Sequence, residues 1–222
     1  MERLSLKFYF TLTTAFHTAG NRWRWGADKA LSRSSDGVYV IPATTMKGAL
    51  RDRAEVLLHT WGQKVCNGPT PNTMCPDPNH LCIVCQVFGH PRFPAPLRFQ
   101  DVRFELDTMT QIRSGVSISR QRRAALPGRL FFIETTSPGL LEATAICEGY
   151  FPDQTSAMQA CALVILAARS MSGIGGGRTR GMGWLEIEKT RIEATVNSLP
   201  VSQQHLEMLW SQWSGGQNVA ED

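Results

Sequence analysis

A run of glycines between residues 173 and 183 is the feature that most constrains this chain. GIGGGRTRGMG holds six glycines and two arginines, follows the apolar run CALVILAAR after three residues, and leads directly into WLEIEKTRIEA, which is typical of a strand. Glycine reaches positive φ and lets a backbone approach a ligand closely. Exposed backbone N–H groups beside Arg178 and Arg180 would bind an anion, most often phosphate. The pattern favours an anion-binding loop over a loose linker, because linkers lack paired arginines.

The spacing of apolar residues along the chain predicts an α+β fold. Strands are expected over residues 4–16, 38–42, 97–106, 130–149 and 183–196, and helices over residues 46–61 and 153–169. A turn at Pro138-Gly139 divides the fourth of these segments into a strand pair. Thr44 or Thr45 is expected to cap the first helix, and Asp153 the second. The order β-α-β-β-α-β is that of a ferredoxin-like (RRM-like) fold, with two helices packed on one antiparallel sheet.

Length and composition bound the class of protein. The 222 residues, 42% of them hydrophobic, suit one domain with insertions or two small domains. The first residues lack the apolar stretch of a secretory signal, and the run CALVILAA is shorter than the roughly 20 residues of a membrane-spanning helix. We therefore expect a soluble, cytoplasmic protein that does not bind membranes.

Positive charge is concentrated in two places. The formal net charge of +4 is mild, but residues 108–133 contain no acidic side chain. Their charged residues are Arg113, Arg120, Arg122, Arg123 and Arg129. Such a stretch is either a solvated face or a binding surface for a polyanion, and the arginine fork suits phosphate. Lys47, Arg51 and Arg53 lie near the start of the first helix, where its dipole disfavours cations, so an external anion is expected there.

Four cysteines lie within twenty residues in a segment rich in proline and asparagine. They are Cys66, Cys75, Cys82 and Cys85, and the last two form a Cys-x-x-Cys pair that can share one tetrahedral ion. Four protein ligands leave no open coordination position, so the cluster predicts structural zinc. His80 in place of Cys75 is the open alternative. Cys147 and Cys161 are expected to be free thiols.

With these pieces placed, the chain resembles the backbone subunits of type III CRISPR effector complexes, with subtype III-D as one candidate. These subunits belong to the RAMP superfamily of ferredoxin-like RNA-binding proteins. The resemblance covers about residues 4 to 196. Four stretches carry it. YVIPATTMKGALR is similar to the family's strand-to-helix signature, and LCIVCQVFG is similar to its cysteine-containing insertion. IRSGVSISRQRRAALPGRLFFIETTSPG is similar to its thumb hairpin, and GIGGGRTRGMG is similar to its glycine-rich loop.

The resemblance implies one RAMP domain over residues 1–198, with a cysteine-rich insertion at 64–90 and a thumb at 107–129. A polar tail with a short helix would follow at 199–222. It also implies that the protein holds a guide RNA (crRNA) and presents it to a complementary target RNA beside homologous backbone subunits and large and small subunits. The residues that it assigns to RNA binding are Lys47, Arg51, Arg113, Ile118, Arg120, Arg122, Gly175, Gly176, Arg178 and Arg180.

The resemblance further implies an RNA endonuclease whose catalytic aspartate follows the first strand. Asp28 and Asp36 are the candidates, and Asp28 is favoured because Asp36-Gly37 is typical of a turn. A target-RNA 2′-OH would attack the adjacent phosphate, with Asp28 as proton acceptor or as ligand of a Mg or Mn ion.

Two other functions stay open from the sequence. One is a non-catalytic subunit that only holds RNA. The other is a guide-RNA processing ribonuclease that uses His17 as general acid or base. Trp23 and Trp25 either stack on bases or pack in the core.

Overall fold

The structure is a computed structural model that describes residues 1–20, 23–68, 70–77, 79–104 and 109–215. Its strands are β1 (Glu2–Leu12), β2 (Val40–Ile41), β3 (Leu97–Phe99), β4 (Val102–Arg103), β5 (Thr110–Ser119), β6 (Ala124–Thr136), β7 (Leu141–Phe151), β8 (Leu185–Val196) and β9 (Leu199–Pro200). Its helices are α1 (Ala43–Thr60), α2 (Ile83–Phe88), α3 (Gln154–Arg169) and α4 (Gln203–Ser214).

A five-stranded antiparallel sheet with the order β3-β7-β1-β8-β9 forms the centre. β1 pairs with β7 along its whole length, from Glu2 opposite Phe151 to Leu12 opposite Leu141. On its other side β1 pairs with β8. The expected order is present as β1, α1, β3, β7, α3 and β8, with β1 and β7 between the two outer core strands. The ferredoxin-like α+β fold is therefore confirmed.

Alternation along β1 determines which face of the sheet is covered. Leu4, Leu6, Phe8, Phe10 and Leu12 are buried, and the residues between them are only partly buried. The buried set forms one apolar cluster with residues of α1 and with the apolar residues of α3. Because α3 is buried on most of its surface, it is the central helix of the fold, as its composition predicts.

The first helix begins differently from the expectation. Asp153 caps α3 as predicted, through a 2.8 Å hydrogen bond from the backbone N–H of Ser156. At α1, however, Pro42 is the capping residue and no side chain of its own segment caps the helix. The backbone N–H of Ala43 instead donates to Asp101 Oδ1 at 2.8 Å. The predicted threonine cap was wrong because the helix begins at Ala43, directly after Pro42, so Thr44 and Thr45 lie inside its first turn.

The same aspartate marks a break in the strand expected over residues 97–106. That segment forms two short strands, β3 in the central sheet and β4 in a separate pair with β2. Between them Asp101 contacts the start of α1, and the chain leaves the central sheet because β4 pairs with β2. Residues 105 and 106 lie outside the described residues.

The arginine-rich segment forms a hairpin of its own. β5 and β6 pair with each other, from Thr110 opposite Thr136 to Ser119 opposite Ala124. The strand pair expected around Pro138-Gly139 is thus divided between two sheets, since β6 belongs to the hairpin and β7 to the central sheet. The hairpin is largely exposed at its tip and buried at its base over residues 133–136. Residues 107 and 108 lie outside the described residues.

The C-terminal segment contributes to the core through α4. Leu206 and Trp210 are buried in the main apolar cluster, and the indole Nε1 of Trp210 donates to the Ala162 carbonyl of α3 at 3.0 Å. The guanidinium of Arg169 lies 5.0 Å from the Trp210 ring centroid. α4 occupies the segment in which a short helix was expected. Among the helices described, none is both long and apolar enough to cross a membrane.

Replacing Trp210 by alanine should lower the free energy of unfolding by about 3–5 kcal/mol, because the variant lacks the buried indole that joins α3 to α4. Urea unfolding followed by circular dichroism measures the change. Met208→Ala on the same helix is the control, since Met208 is 54% exposed against 4% for Trp210. Equal effects for the two variants would contradict the docking of α4.

Candidate functional site

A buried carboxylate at the base of the hairpin organises the loop that precedes β2. Glu134 on β6 is fully buried, and its Oε2 accepts a hydrogen bond from the Leu31 backbone N–H at 3.0 Å. Its Oε1 accepts from the Tyr39 hydroxyl at 2.9 Å and from the Arg24 guanidinium. Arg33 lies 3.6 Å from the same oxygen. Burial acts to raise the pKa of Glu134, but these hydrogen bonds and charges lower it below its ordinary range.

His17 joins this carboxylate-bearing residue to the glycine run. His17 is buried, and its Nδ1 lies 2.6 Å from the backbone carbonyl of Glu134. A carbonyl only accepts, so Nδ1 carries a proton in this contact. The backbone carbonyl of His17 accepts from the Gly176 N–H at 2.8 Å. One residue therefore contacts both the hairpin base and the loop before β8.

Asp28 is held against the hairpin by two backbone hydrogen bonds. Its Oδ2 accepts from the Phe132 N–H at 2.7 Å, and its own N–H donates to the Phe132 carbonyl at 2.8 Å. Asp28 is exposed, and its carboxylate makes no other hydrogen bond within the described residues. Asp36 has different partners. Hydrogen bonds from Ser34, which has the larger effect, and from Arg103 lower the pKa of Asp36 to about 2. The turn expected at Asp36-Gly37 is consistent with this arrangement.

A cavity of about 400 Å³ brings several of the predicted residues together. It is lined by His17, Thr18, Ala19, Asp28, Lys29, Phe131, Ile133, Gly176, Gly177, Arg180 and Met182. One wall is the base of β6 and the opposite wall is the glycine run. Asp28, His17 and the Arg180 guanidinium therefore line one recess, although Arg180 is far from the other two residues in sequence.

The glycines of the run serve close packing inside the chain. The N–H of Gly176 donates to His17, and the N–H of Gly183 donates to the Ala15 carbonyl at 2.8 Å. At Gly175, where φ is +84°, a side chain would begin 2.4 Å from the His17 carbonyl oxygen. Glycine is required here because two backbone segments touch. The expected cradle of exposed N–H groups therefore does not include the Gly176 donor.

The two arginines of the run lie on a short 3-10 turn, Arg178–Arg180, between Gly177 and Gly181, which both adopt left-handed φ values. Both arginines are exposed, and neither guanidinium forms an ion pair within the described residues. The indole Nε1 of Trp184 donates to the Arg178 carbonyl at 3.1 Å, which fixes the turn. The run thus contributes charge through side chains more than through its backbone.

The hairpin carries exposed positive charge and exposed apolar side chains together. Arg120 and Arg122 lie at its tip, and Ile118 next to them is exposed. Arg113 is partly buried on β5, opposite Ile133. Within the described part of the hairpin, no carboxylate before Glu134 compensates these charges. At Gly115 a side chain would begin 2.3 Å from the Phe131 ring, so this glycine lets the ring cross the hairpin.

The family model of the RAMP superfamily matches residues 9–186, which include the end of β1, the strands β3 and β7, the hairpin and the glycine run. The chain belongs to the RAMP superfamily. This superfamily includes RNA-binding subunits of CRISPR complexes, and some of its members cleave RNA. No curated protein matches the chain.

The two cations near the start of α1 have different surroundings in this RAMP protein. Lys47 is half-buried, and burial, together with the charge of Arg51, lowers its pKa. No acidic residue of the described chain pairs with Lys47. Arg51 instead donates to Glu55 Oε1 at 2.8 Å and to the Gly89 carbonyl at 2.8 Å. Lys47 is therefore available to an external anion, whereas Arg51 is engaged inside the protein.

The four clustered cysteines converge on one point. Their sulfur atoms all lie within 4.8 Å of one another, and Cys66 Sγ is 3.2 Å from Cys85 Sγ and 3.6 Å from Cys82 Sγ. Four thiolates about 2.3 Å from a tetrahedral ion are about 3.8 Å apart, so Cys66, Cys75, Cys82 and Cys85 can hold a metal ion such as zinc. His80 is exposed beside Asp77 and is not part of this group.

Contacts around the cysteines tie the insertion to α1. The Nη2 of Arg51 lies 3.5 Å from Cys85 Sγ, and Glu55 Oε2 accepts from the Gly68 N–H at 3.1 Å. The Nε2 of His90 donates to the Cys75 carbonyl at 3.0 Å. The ion pair of Arg51 and Glu55 on α1 thus contacts both ends of the cysteine segment, Arg51 at Cys85 and Gly89 and Glu55 at Gly68.

Sequence reasoning missed Glu134 and its partners. The only available signal was that Glu134 ends a long stretch without acidic residues and directly follows the apolar run LFFI. Arg24, Arg33 and Tyr39 carry no motif, and they reach Glu134 only because the hairpin base and the loop after β1 meet in the fold.

The purified protein should contain about one zinc ion per chain, and Cys82→Ala should reduce that content strongly because one of four ligands is removed. Elemental analysis by mass spectrometry measures the ratio. Cys161→Ala, which removes a buried thiol of α3 far from the cluster in sequence, should keep full zinc content. Full zinc content in folded Cys82→Ala protein would contradict the four-cysteine site.

Glu134→Gln should lower the free energy of unfolding at pH 7 by about 1–3 kcal/mol, because the neutral amide leaves charged donors without their carboxylate. The folded pKa of Glu134 lies below the ordinary value of 4.5. Its stabilisation is therefore present above pH 4.5 and is lost as pH falls through the folded pKa, so the gap between wild type and variant should narrow there.

Urea titrations between pH 7 and pH 3 measure that gap. Glu148→Gln is the control, because Glu148 forms an exposed 3.1 Å ion pair with Arg3 and should change stability by less than about 0.5 kcal/mol. A gap for Glu134→Gln that stays constant over this pH range would show that the charge is not what stabilises the site.

Proposed function

We propose that this chain is a backbone subunit of a type III CRISPR ribonucleoprotein, which holds the guide RNA and cleaves complementary target RNA. The observation that carries the proposal is the single recess shared by Asp28, His17 and Arg180 between the glycine run and the hairpin base. In this RAMP protein the recess lies beside an exposed arginine-bearing hairpin that has, in its described part, no acidic residue before Glu134. A polyanion bound to the hairpin would therefore lie close to the carboxylate of Asp28.

The proposed RNA-binding surface has three parts. Arg113, Ile118, Arg120 and Arg122 lie on the hairpin, Arg178 and Arg180 on the glycine run, and Lys47 on α1. Gly175 and Gly176 shape the run by close packing, and Arg51 braces the cysteine insertion. The sequence of the RNA would be read by base pairing, while these residues hold its phosphates. Homologous backbone subunits and large and small subunits are the proposed protein partners.

For cleavage, the side chains of the recess have complementary tasks. Asp28 is held on β6 with one oxygen engaged and the other directed by that bond, so its charge has a defined position. As proton acceptor it would take the proton of a ribose 2′-OH, whose oxygen attacks the adjacent phosphate and displaces the 5′ oxygen of the next nucleotide. Arg180 would stabilise the added negative charge on the phosphate.

Metal ions have two distinct places in the proposal. Asp28 is the one carboxylate among the described residues that line the recess, which suits Mg or Mn held largely by RNA phosphates. Such an ion would supply Lewis-acid stabilisation of the phosphate. The four cysteines would hold zinc in a structural role, since they leave no position for a substrate.

Arg120→Ala combined with Arg122→Ala should weaken binding to single-stranded guide RNA and flatten its salt dependence by about 0.7 for each phosphate that these arginines neutralise. Fluorescence anisotropy between 50 and 300 mM KCl measures both quantities. Arg3→Ala is the control, because Arg3 lies at the other end of β1 in an ion pair with Glu148. An unchanged salt slope in the hairpin variant would argue against phosphate binding by the hairpin.

Asp28→Asn should reduce target cleavage at least about 100-fold while RNA affinity stays within about twofold. Asparagine keeps an acceptor oxygen for the Phe132 N–H and loses only the charge and basicity. The assay uses the guide-loaded complex with labelled complementary RNA and added Mg or Mn. Cleavage by this variant at the wild-type rate would exclude catalysis by Asp28 and leave RNA holding as the function.

The processing ribonuclease is favoured by one observation: the His17 imidazole, whose Nδ1 is hydrogen-bonded to the Glu134 carbonyl, lines the same recess. It predicts that the protein alone cuts unprocessed guide precursor, without complementary RNA, and that His17→Gln abolishes this cutting. Cleavage that requires complementary RNA and survives His17→Gln supports the target-cleaving subunit instead.

A further inference from the structure

Two neighbouring tryptophans are almost fully exposed on the loop after β1. Trp23 is 78% and Trp25 82% exposed, and their rings meet edge to face with centroids 5.9 Å apart. Tryptophan is rarely so exposed in the absence of a partner, and adjacent exposed aromatic rings mark binding surfaces. The structure excludes core packing for this pair, which was one of the two interpretations of the sequence.

The residue between them explains why both rings face outward. Arg24 is directed inward, where its Nη1 donates to the Thr110 hydroxyl at 2.8 Å and to the carboxylate of Glu134. A turn follows directly, closed by a 3.2 Å hydrogen bond from the Ala27 N–H to the Arg24 carbonyl. Gly26 takes a φ of +80° in this turn. The rings are thus presented by a segment anchored to the buried carboxylate of Glu134 and not by a loose loop.

The pair lies between two parts of the proposed RNA-binding surface. A side chain at Gly26 would begin 3.4 Å from Ile112 Cδ1 of β5, so the turn is in contact with the arginine hairpin. Three residues after Trp25 the chain reaches Asp28 at the recess. The rings therefore stand next to the place where an RNA would pass from the hairpin to the carboxylate.

We propose that Trp23 and Trp25 form a stacking platform for an unpaired nucleobase of the RNA that passes the hairpin base. The inference rests on the proposed function, to which it adds a base-contacting element. The neighbouring hairpin carries arginines and, before Glu134, no acidic residue in its described part, so the strand that reaches the pair is a polyanion. Aromatic faces bind bases of any identity, which suits a subunit whose sequence specificity comes from base pairing.

Replacing both tryptophans by alanine should weaken the binding of single-stranded RNA about 5- to 100-fold, the range for removal of base stacking. Because every phosphate-binding side chain is retained, the salt slope should stay as in wild type. The double phenylalanine variant should recover most of the affinity, since it keeps aromatic faces. Tyr150→Ala is the matched control: Tyr150 is 57% exposed and pairs with Arg3 at the far end of the sheet.

A fluorescent base identifies the strand that is stacked. With 2-aminopurine placed in turn along the guide, and in a second series along the target, the guide-loaded protein should quench one position, and the double alanine variant should restore its emission. Quenching at a position of either strand that the double alanine variant relieves supports the platform and identifies the strand whose base is stacked. Quenching that is the same in wild type and the double alanine variant at every position overturns it.

The outcomes also separate this inference from the proposed function. Wild-type protein that binds no RNA would overturn both. RNA binding that depends on Arg120 and Arg122 but is unchanged in the double alanine variant would overturn the platform alone. If that variant keeps RNA affinity but loses association with a second protein subunit, the tryptophans form a protein interface and the platform is excluded.

Discussion

The carboxylate of Glu134 is the interaction on which the arrangement of the site depends. A buried charge is tolerated only when it is paired and hydrogen-bonded, and the partners of Glu134 come from the loop after β1. The backbone of the same residue binds His17, which in turn binds the glycine run. The hairpin, the loop that carries Asp28 and the loop before β8 are thus positioned together, and the recess exists because they meet.

Different parts of the chain bring different properties to this RAMP protein. The glycines allow two backbone segments to touch, so the run can approach the first loop, while its arginines remain in solvent. The four cysteine thiols converge on one point in the segment between α1 and β3, and Arg51 ties that segment to α1. The hairpin extends its exposed charges away from the sheet. Within the glycine run, packing residues and solvent-exposed charged residues are therefore separate.

Local signals in the sequence were sufficient for most of the fold. The alternation in β1, the apolar composition of α3 and its Asp153 cap all predict what the structure shows, because each depends on contacts within a few residues or on burial of one face. The cap of α1 and the break after β3 were not predictable in this way. At the first, the carboxylate of Asp101 reaches the Ala43 N–H across 58 positions of sequence, and at the second β4 pairs with the distant β2.

For the site, the sequence alone determined which chemistry is present: four thiols at metal-binding spacing, an arginine stretch without acids, and glycines flanked by arginines. Tertiary structure decided how these groups are used. It paired Arg24 with Glu134 and left Trp23 and Trp25 exposed, engaged Arg51 while leaving Lys47 unpaired among the described residues, and placed Asp28 and His17 on one recess. The physical reason is that a motif records residue types and spacing along the chain, whereas burial and pairing of a charge depend on residues that are distant in sequence.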